Sequence, residues 1–158
     1  MKRGALLILN TVLVWASPAV SQMQSLGPKD TFAASRLSAR EIHEIVEEVE
    51  QSAYDTPDSW EKELRGKRVD LGASPGLIIR GGELLCGGTG NCQTWVFRKT
   101  EGKLVSLFPK DQVPIAEGFS LGPHVTAGIK DFTVFANSSA KAGRTVTYKF
   151  DGKFYRAK

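Results

Sequence analysis

The sequence predicts an α+β domain in which an N-terminal amphipathic helix packs on an antiparallel, meandering β-sheet of five to seven strands. Three observations predict it. Apolar Ile42, Ile45, Val46 and Val49 recur at three- and four-residue steps, the spacing of one helix face. From Arg68 onward the pattern changes to short runs rich in β-branched and aromatic residues, bounded by turn residues. Two of those boundaries, Glu101-Gly102 and Asp151-Gly152, suit tight hairpins, because glycine takes the positive φ that such a turn requires. The chain has 158 residues, 41% hydrophobic and 24% charged, which suits one domain with a core and excludes a wholly disordered chain.

Residues 1–21 read as a secretory signal peptide. Lys2 and Arg3 start it, an apolar run follows from Ala5 to Trp15, and Ala19-Val20-Ser21 supplies the small residues a signal peptidase reads. Cleavage is expected near Ser21–Gln22, leaving an exported product, periplasmic or extracellular. The apolar run is shorter than the roughly 20 residues of a membrane span, and no later stretch is long and apolar enough to be one. Residues 22–37 contain Ser, Pro and Gly without a clear period and are expected to be a flexible lead-in.

Residues 38–66 are expected to be helical. Ser38-Ala39-Arg40-Glu41 fits a capping box, in which the serine oxygen and the glutamate satisfy backbone donors that the first helical turn leaves unpaired. Asp55-Thr56-Pro57-Asp58 stops this helix, and a short second one is expected through Trp60 and Leu64 to Gly66. Residues 67–158 form the β-rich portion of the same domain. Strands are expected at 69–71, 76–80, 93–99, 103–108, 132–136 and 145–150. In Gln93–Lys99 both alternating sets carry apolar groups, which predicts a central strand covered on both sides, one cover being the amphipathic helix. The Glu101-Gly102 and Asp151-Gly152 hairpins also match at an offset of fifty residues, and two copies do not establish a repeat.

Charge is unevenly spread. Residues 22–67 carry ten acidic and six basic side chains; residues 68–158 carry seven acidic and thirteen basic. Either a helical segment of one sign lies against a β-portion of the other, or the basic half meets an anionic partner. No Lys/Arg run is dense enough to point to nucleic acid.

The most unusual segment is Cys86-Gly87-Gly88-Thr89-Gly90-Asn91-Cys92. In an exported protein two cysteines are expected to pair. A ring of seven residues is worth about 2.4 kcal/mol in the chain-entropy account. Its glycines and asparagine adopt positive φ cheaply, as a small ring requires. The ring reads either as a stapled turn or as a pre-ordered loop offered to a partner, Gly87, Gly88, Thr89, Gly90 and Asn91 being the candidate contact residues. A phosphate loop lacks its Lys-Ser/Thr, and a redox dithiol would be Cys-x-x-Cys. Zinc would need His43 and His124, one on the acidic helix and one in a distant loop, so no metal or cofactor is expected.

Catalytic hardware is thin. Ser120, His124 and Asp131 suggest a relay without a supporting motif. Asp111, Glu117 and Asp131 offer carboxylates without a spacing that selects two of them. Asn137-Ser138-Ser139 is a formal glycosylation acceptor.

The ring followed by Trp95-Val96-Phe97 resembles a pattern of small exported bacterial proteins of no settled function. The segment Gly128-Ile129-Lys130-Asp131-Phe132, then Tyr148 to Lys153 and Tyr155, is similar to the same group. The resemblance covers residues 68–158, implies an exported β-rich domain and carries no catalytic residue across. The ring and the Glu101-Gly102 hairpin also occupy places similar to those in periplasmic lysozyme inhibitors of the vertebrate-lysozyme-inhibitor type, where a disulfide-closed loop blocks the enzyme's cleft. That family's loop carries a histidine, whereas Thr89 and Asn91 can only hydrogen-bond. The expected function is therefore an exported, non-enzymatic binding or envelope protein that presents the ring to a protein or cell-envelope glycan. Inhibition of a lysozyme-type hydrolase and hydrolysis of envelope material are the alternatives.

Overall fold

A computed structural model of the protein describes residues 22–53, 63–138 and 141–158. The signal-peptide expectation and most of the expected second helix lie outside the described residues. Helix α1 (Ala39–Ser52) is followed by β1 (Leu64–Asp70), β2 (Pro75–Gly81), β3 (Cys92–Thr100), β4 (Lys103–Ser106), β5 (Ile115–Ala116), β6 (Gly118–Thr126), β7 (Ile129–Ser138), β8 (Lys141–Phe150) and β9 (Tyr155–Ala157). All pairings are antiparallel. The first sheet runs β1-β2-β3-β4, with β5 also paired to β3; the second runs β6-β7-β8-β9.

The helix starts where the sequence places its cap. The Glu41 amide donates to Ser38 Oγ at 3.2 Å, and the Ser38 amide donates to Glu41 Oε2 at 2.9 Å. Its apolar stripe buries Ile45 and Val49 completely, against Leu77, Ile79, Trp95 and Phe97 of β2 and β3. The opposite faces of the same strands send Ile78 and Val96 toward the second sheet, where Phe119, Phe132, Val134, Phe150 and Tyr155 meet them. Strand β3 is therefore covered on both sides, as its two apolar faces predict. The layers run helix, first sheet, second sheet, with a core in each gap.

The expectation of one meandering sheet is corrected to two stacked sheets with nine strands among the described residues. The reason is burial. A single sheet with one helix on it would leave Ile78, Val96, Phe132 and Val134 in water; folding the chain over at Glu117 buries them against one another. At that corner the Glu117 amide donates to the Phe135 carbonyl at 2.8 Å. Strand β6 escapes the sequence pattern because it contains Gly122-Pro123. It is an edge strand with a register shift between Leu121 and Val125, where proline costs no ladder bond.

Two further expectations are corrected. Leu64 to Gly66 are extended as the start of β1, because Leu64 is wholly buried beneath α1 and Gly66 pairs with Ile79. The lead-in of residues 22–37 is ordered. Leu26 enters the inter-sheet core and Phe32 the helix-side core, and Gln24 adds a bridge to Phe119 on the edge of β6. Two apolar anchors in two cores outweigh a composition that suggests a linker.

The hairpins differ in kind. Glu101-Gly102 is a two-residue loop with φ of 50° and 78°, as is Ala127-Gly128 with 48° and 83°. The Asp151 hairpin is longer, since Phe150 pairs with Tyr155. Asp151 Oδ1 accepts from the amides of Lys153 and Phe154, and Arg156 Nε donates to Oδ2 at 2.9 Å. The backbone bonds come first among the causes that hold this carboxyl at about 2.

Candidate functional site

The ring is assembled at the junction of the two sheets. Cys92 opens β3, and Cys86 follows a single 3-10 turn, Glu83–Leu85, whose Leu85 is buried in the helix-side core. The two Sγ atoms lie 1.92 Å apart, at disulfide distance, so the pairing expected of Cys86 and Cys92 is present. Inside the ring the Gly87 amide donates to the Asn91 carbonyl at 2.8 Å, and the Gly90 amide to the Gly87 carbonyl at 2.9 Å. Gly90 has φ of 78°, where a side chain would be strained.

Asn91 is not offered to solvent. It is only 9% exposed, and its carboxamide pairs with the backbone of Asn137 in β7: Nδ2 donates to the Asn137 carbonyl at 2.8 Å, and the Asn137 amide donates to Oδ1 at 2.8 Å. The amide group thus extends the ladder on the edge of β7, one step beyond the Glu117–Phe135 bond. Nδ2 also donates to Thr89 Oγ1 at 2.7 Å. Asn91 therefore splices the ring to the second sheet, a contact that its residue type in the sequence did not announce. Arg80 in β2 braces the other side, its Nη2 donating to the Gly90 carbonyl at 3.0 Å.

What remains outward is Gly87, Gly88, Thr89 and Gly90, all exposed. A cleft of about 210 Å³ lies at the ring's foot, lined by Leu26, Arg65, Arg80, Glu83 and Cys86 among others. Another of about 280 Å³ lies beside Phe135, between Met23, Glu117 and Gly118.

The other candidates do not converge. Ser120 and Asp131 are buried, whereas His124 is exposed on β6. Asp131 is bonded instead by Thr126 Oγ1 at 2.7 Å and by Lys149 at 3.3 Å, so it is not the orienting group of a relay. Asp111 and Glu117 are exposed. Among the described residues no group of three or more His, Cys, Asp or Glu is placed to hold a metal ion, and no helix is long and apolar enough to cross a membrane.

One polar cluster that sequence reasoning missed lies on the helix side. Glu41 is 7% exposed and receives Arg68 Nη2 at 3.2 Å and Lys99 Nζ at 3.4 Å, tying α1 to β1 and β3. Burial pushes its carboxyl up, but the bonds from Ser38 and Arg68 outweigh that and hold it at about 2. Nearby, Glu44 accepts the Leu104 amide at 2.9 Å and so covers an edge donor of β4.

The fold and site together define a small two-sheet β-protein with one covering helix and a disulfide-closed surface ring. Against known protein families, curated proteins and solved structures, the chain matches none.

Proposed function

We propose that the protein acts outside the cytoplasm as a binding protein, presenting its Cys86–Cys92 ring to a protein or cell-envelope glycan without catalysing a reaction. The observation that carries this is Gly88. A Cβ there would meet nothing within 4 Å, and at Gly87 it would meet only the Asn91 carbonyl at 3.9 Å. Neither residue has positive φ. By contrast, a Cβ on Gly82, just below the ring, would come within 2.6 Å of the Glu63 carbonyl. Glycine at 87 and 88 therefore meets no demand of the fold. It leaves a bare backbone that a partner can approach closely, on a loop already fixed at its foot by Asn91, Arg80 and the disulfide, so that little entropy is lost on binding.

A photocrosslinking residue at Thr89 tests this in the exported protein. Adducts with one defined protein or with sacculi are expected, and Gly88→Arg should abolish them without moving the thermal midpoint. Identical adducts from both forms would remove the ring from the function. The exposed, disulfide-closed ring also favours a narrower form, inhibition of a lysozyme-type hydrolase. A cell-wall turbidity assay decides that point: no slowing of lysis at stoichiometric excess rejects it.

A further inference from the structure

We propose that the outer face of the second sheet is a separate docking surface for an acidic polysaccharide. Three observations converge on it. The first is that the β8–β9 part of this face reaches solvent: Thr145, Arg156 and Lys158 are exposed. Helix α1 packs on the first sheet, and on the outward side of β7 and β8 Thr133, Thr147 and Lys149 are half-buried beside the exposed Thr145.

The second is charge. Residues 118–158 hold seven basic and two acidic side chains; Lys149 and Arg156 pair with Asp131 and Asp151, and Lys130 pairs with Asp70 of β1, so the excess rests on the other four cations. Helix α1, on the far side of the layers, holds five acidic residues and one basic. A molecule polarised in this way turns its second sheet toward a polyanion and its helix away.

The third is the chemistry of the face. Side chains alternate along a strand, and the register sets Ser120, Thr133, Thr147 and Lys158 in one cross-strand row and Asp131, Lys149 and Arg156 in the next; Ser120 and Asp131 are buried, so the accessible part runs from Thr133, Thr147 and Lys149 to Arg156 and Lys158. The Thr133 and Thr147 hydroxyls stand 3.1 Å apart and share one hydrogen bond, which leaves the second hydroxyl hydrogen for a ligand oxygen. Among the described residues the exposed large hydrophobics, Met23, Leu84, Val105, Ile115 and Val125, lie outside β7, β8 and β9. A lipid surface would require apolar insertion there, and single-stranded nucleic acid a row of open rings for stacking. Phe154 already carries Lys153 and Arg156 over it at 5.1 and 5.5 Å, and Phe135, outward on β7, is half-buried against Gly143. Hydroxyls beside spaced cations match a sugar chain that alternates hydroxyl and carboxylate groups.

The test is calorimetric titration of the exported chain with polygalacturonate, with neutral dextran as control. Binding to polygalacturonate alone is expected, weakening by about tenfold or more between about 50 and 200 mM salt. Lys153→Gln with Lys158→Gln should weaken it by about tenfold or more, whereas Gly88→Arg, which addresses the ring, should leave it unchanged. Circular dichroism confirms the fold of the lysine variant, and hydrogen exchange on the wild type should show protection confined to β7–β9. Equal affinity for dextran, no effect of the lysine pair, tighter binding to anionic vesicles or duplex DNA, or head-to-tail self-association that Glu47→Gln with Glu50→Gln abolishes, would each overturn the proposal.

Discussion

The two sheets meet in one core but end differently on their outer sides. The first is closed by α1, which brings its own ion pairs: Glu41 reaches Arg68 and Lys99, and Glu44 covers the Leu104 amide. The second carries no such helix among the described residues, and its outer side mixes exposed Thr145, Arg156 and Lys158 with buried Ser120 and Asp131. The closed side is built around large residues such as Trp95 and Phe97, both essentially without exposure, whereas the other side is held by the pleat and by short polar contacts. The difference teaches where the burial of apolar surface is concentrated. Apolar surface is buried under the helix on one side, whereas the other ends in polar side chains, some exposed and some buried.

The comparison is broken most severely on the closed side. Trp95→Ala should cost about 3–5 kcal/mol in urea unfolding, because the cavity would open between α1 and β3, where neither element can collapse freely. Next comes the splice between the sheets. Asn91→Ala leaves the Asn137 amide and carbonyl without their partner and should cost about 1–3 kcal/mol, with faster hydrogen exchange at Asn137 as the local sign.

A smaller effect follows from acid. Glu41 sits at about 2 in the folded protein against 4.5 for the free side chain. Its folded value is depressed, so its contribution is complete above pH 4.5 and is lost as pH falls toward 2. Arg68 and Lys99 are about half exposed, so water screens the pairs and the contribution is about 1–2 kcal/mol. Wild type should therefore exceed Glu41→Gln in stability at neutral pH, with the gap closing between pH 4.5 and 2. An unchanging gap would show that the ion pairs do not clamp the helix. The smallest effect belongs to the side without the helix: Thr145→Val, on an exposed position of β8, should shift stability by no more than about 0.5 kcal/mol. A loss comparable to that at Asn91 would mean that this position is covered after all.

Much of the closed side was legible along the chain. The Ser38–Glu41 cap, the Ile45 and Val49 stripe and the two-faced apolar pattern of β3 are all local, and each was realised. The ring was legible as a ring, because two cysteines six positions apart with glycines between them have few other options. Its anchoring was not. Asn91 looks like a loop tip residue by type, and its partner lies 46 positions away. Glu41 likewise reads as half of a capping box, with nothing nearby to announce Arg68 or Lys99 at 27 and 58 positions' distance. Leu26 and Phe32 were hidden by a composition that suggests a linker, and β6 by its Gly-Pro pair.

The sequence by itself determined the elements: which residues start a helix, alternate as strands, turn at positive φ and close a seven-residue ring. Those choices depend on neighbours within a few positions, where sterics and capping act. The tertiary structure alone decided that the strands divide into two sheets, which carboxamide extends which edge, and which face the helix covers. Burial and long-range pairing depend on what lies across space, and that is settled only when all the apolar faces compete for cover at once.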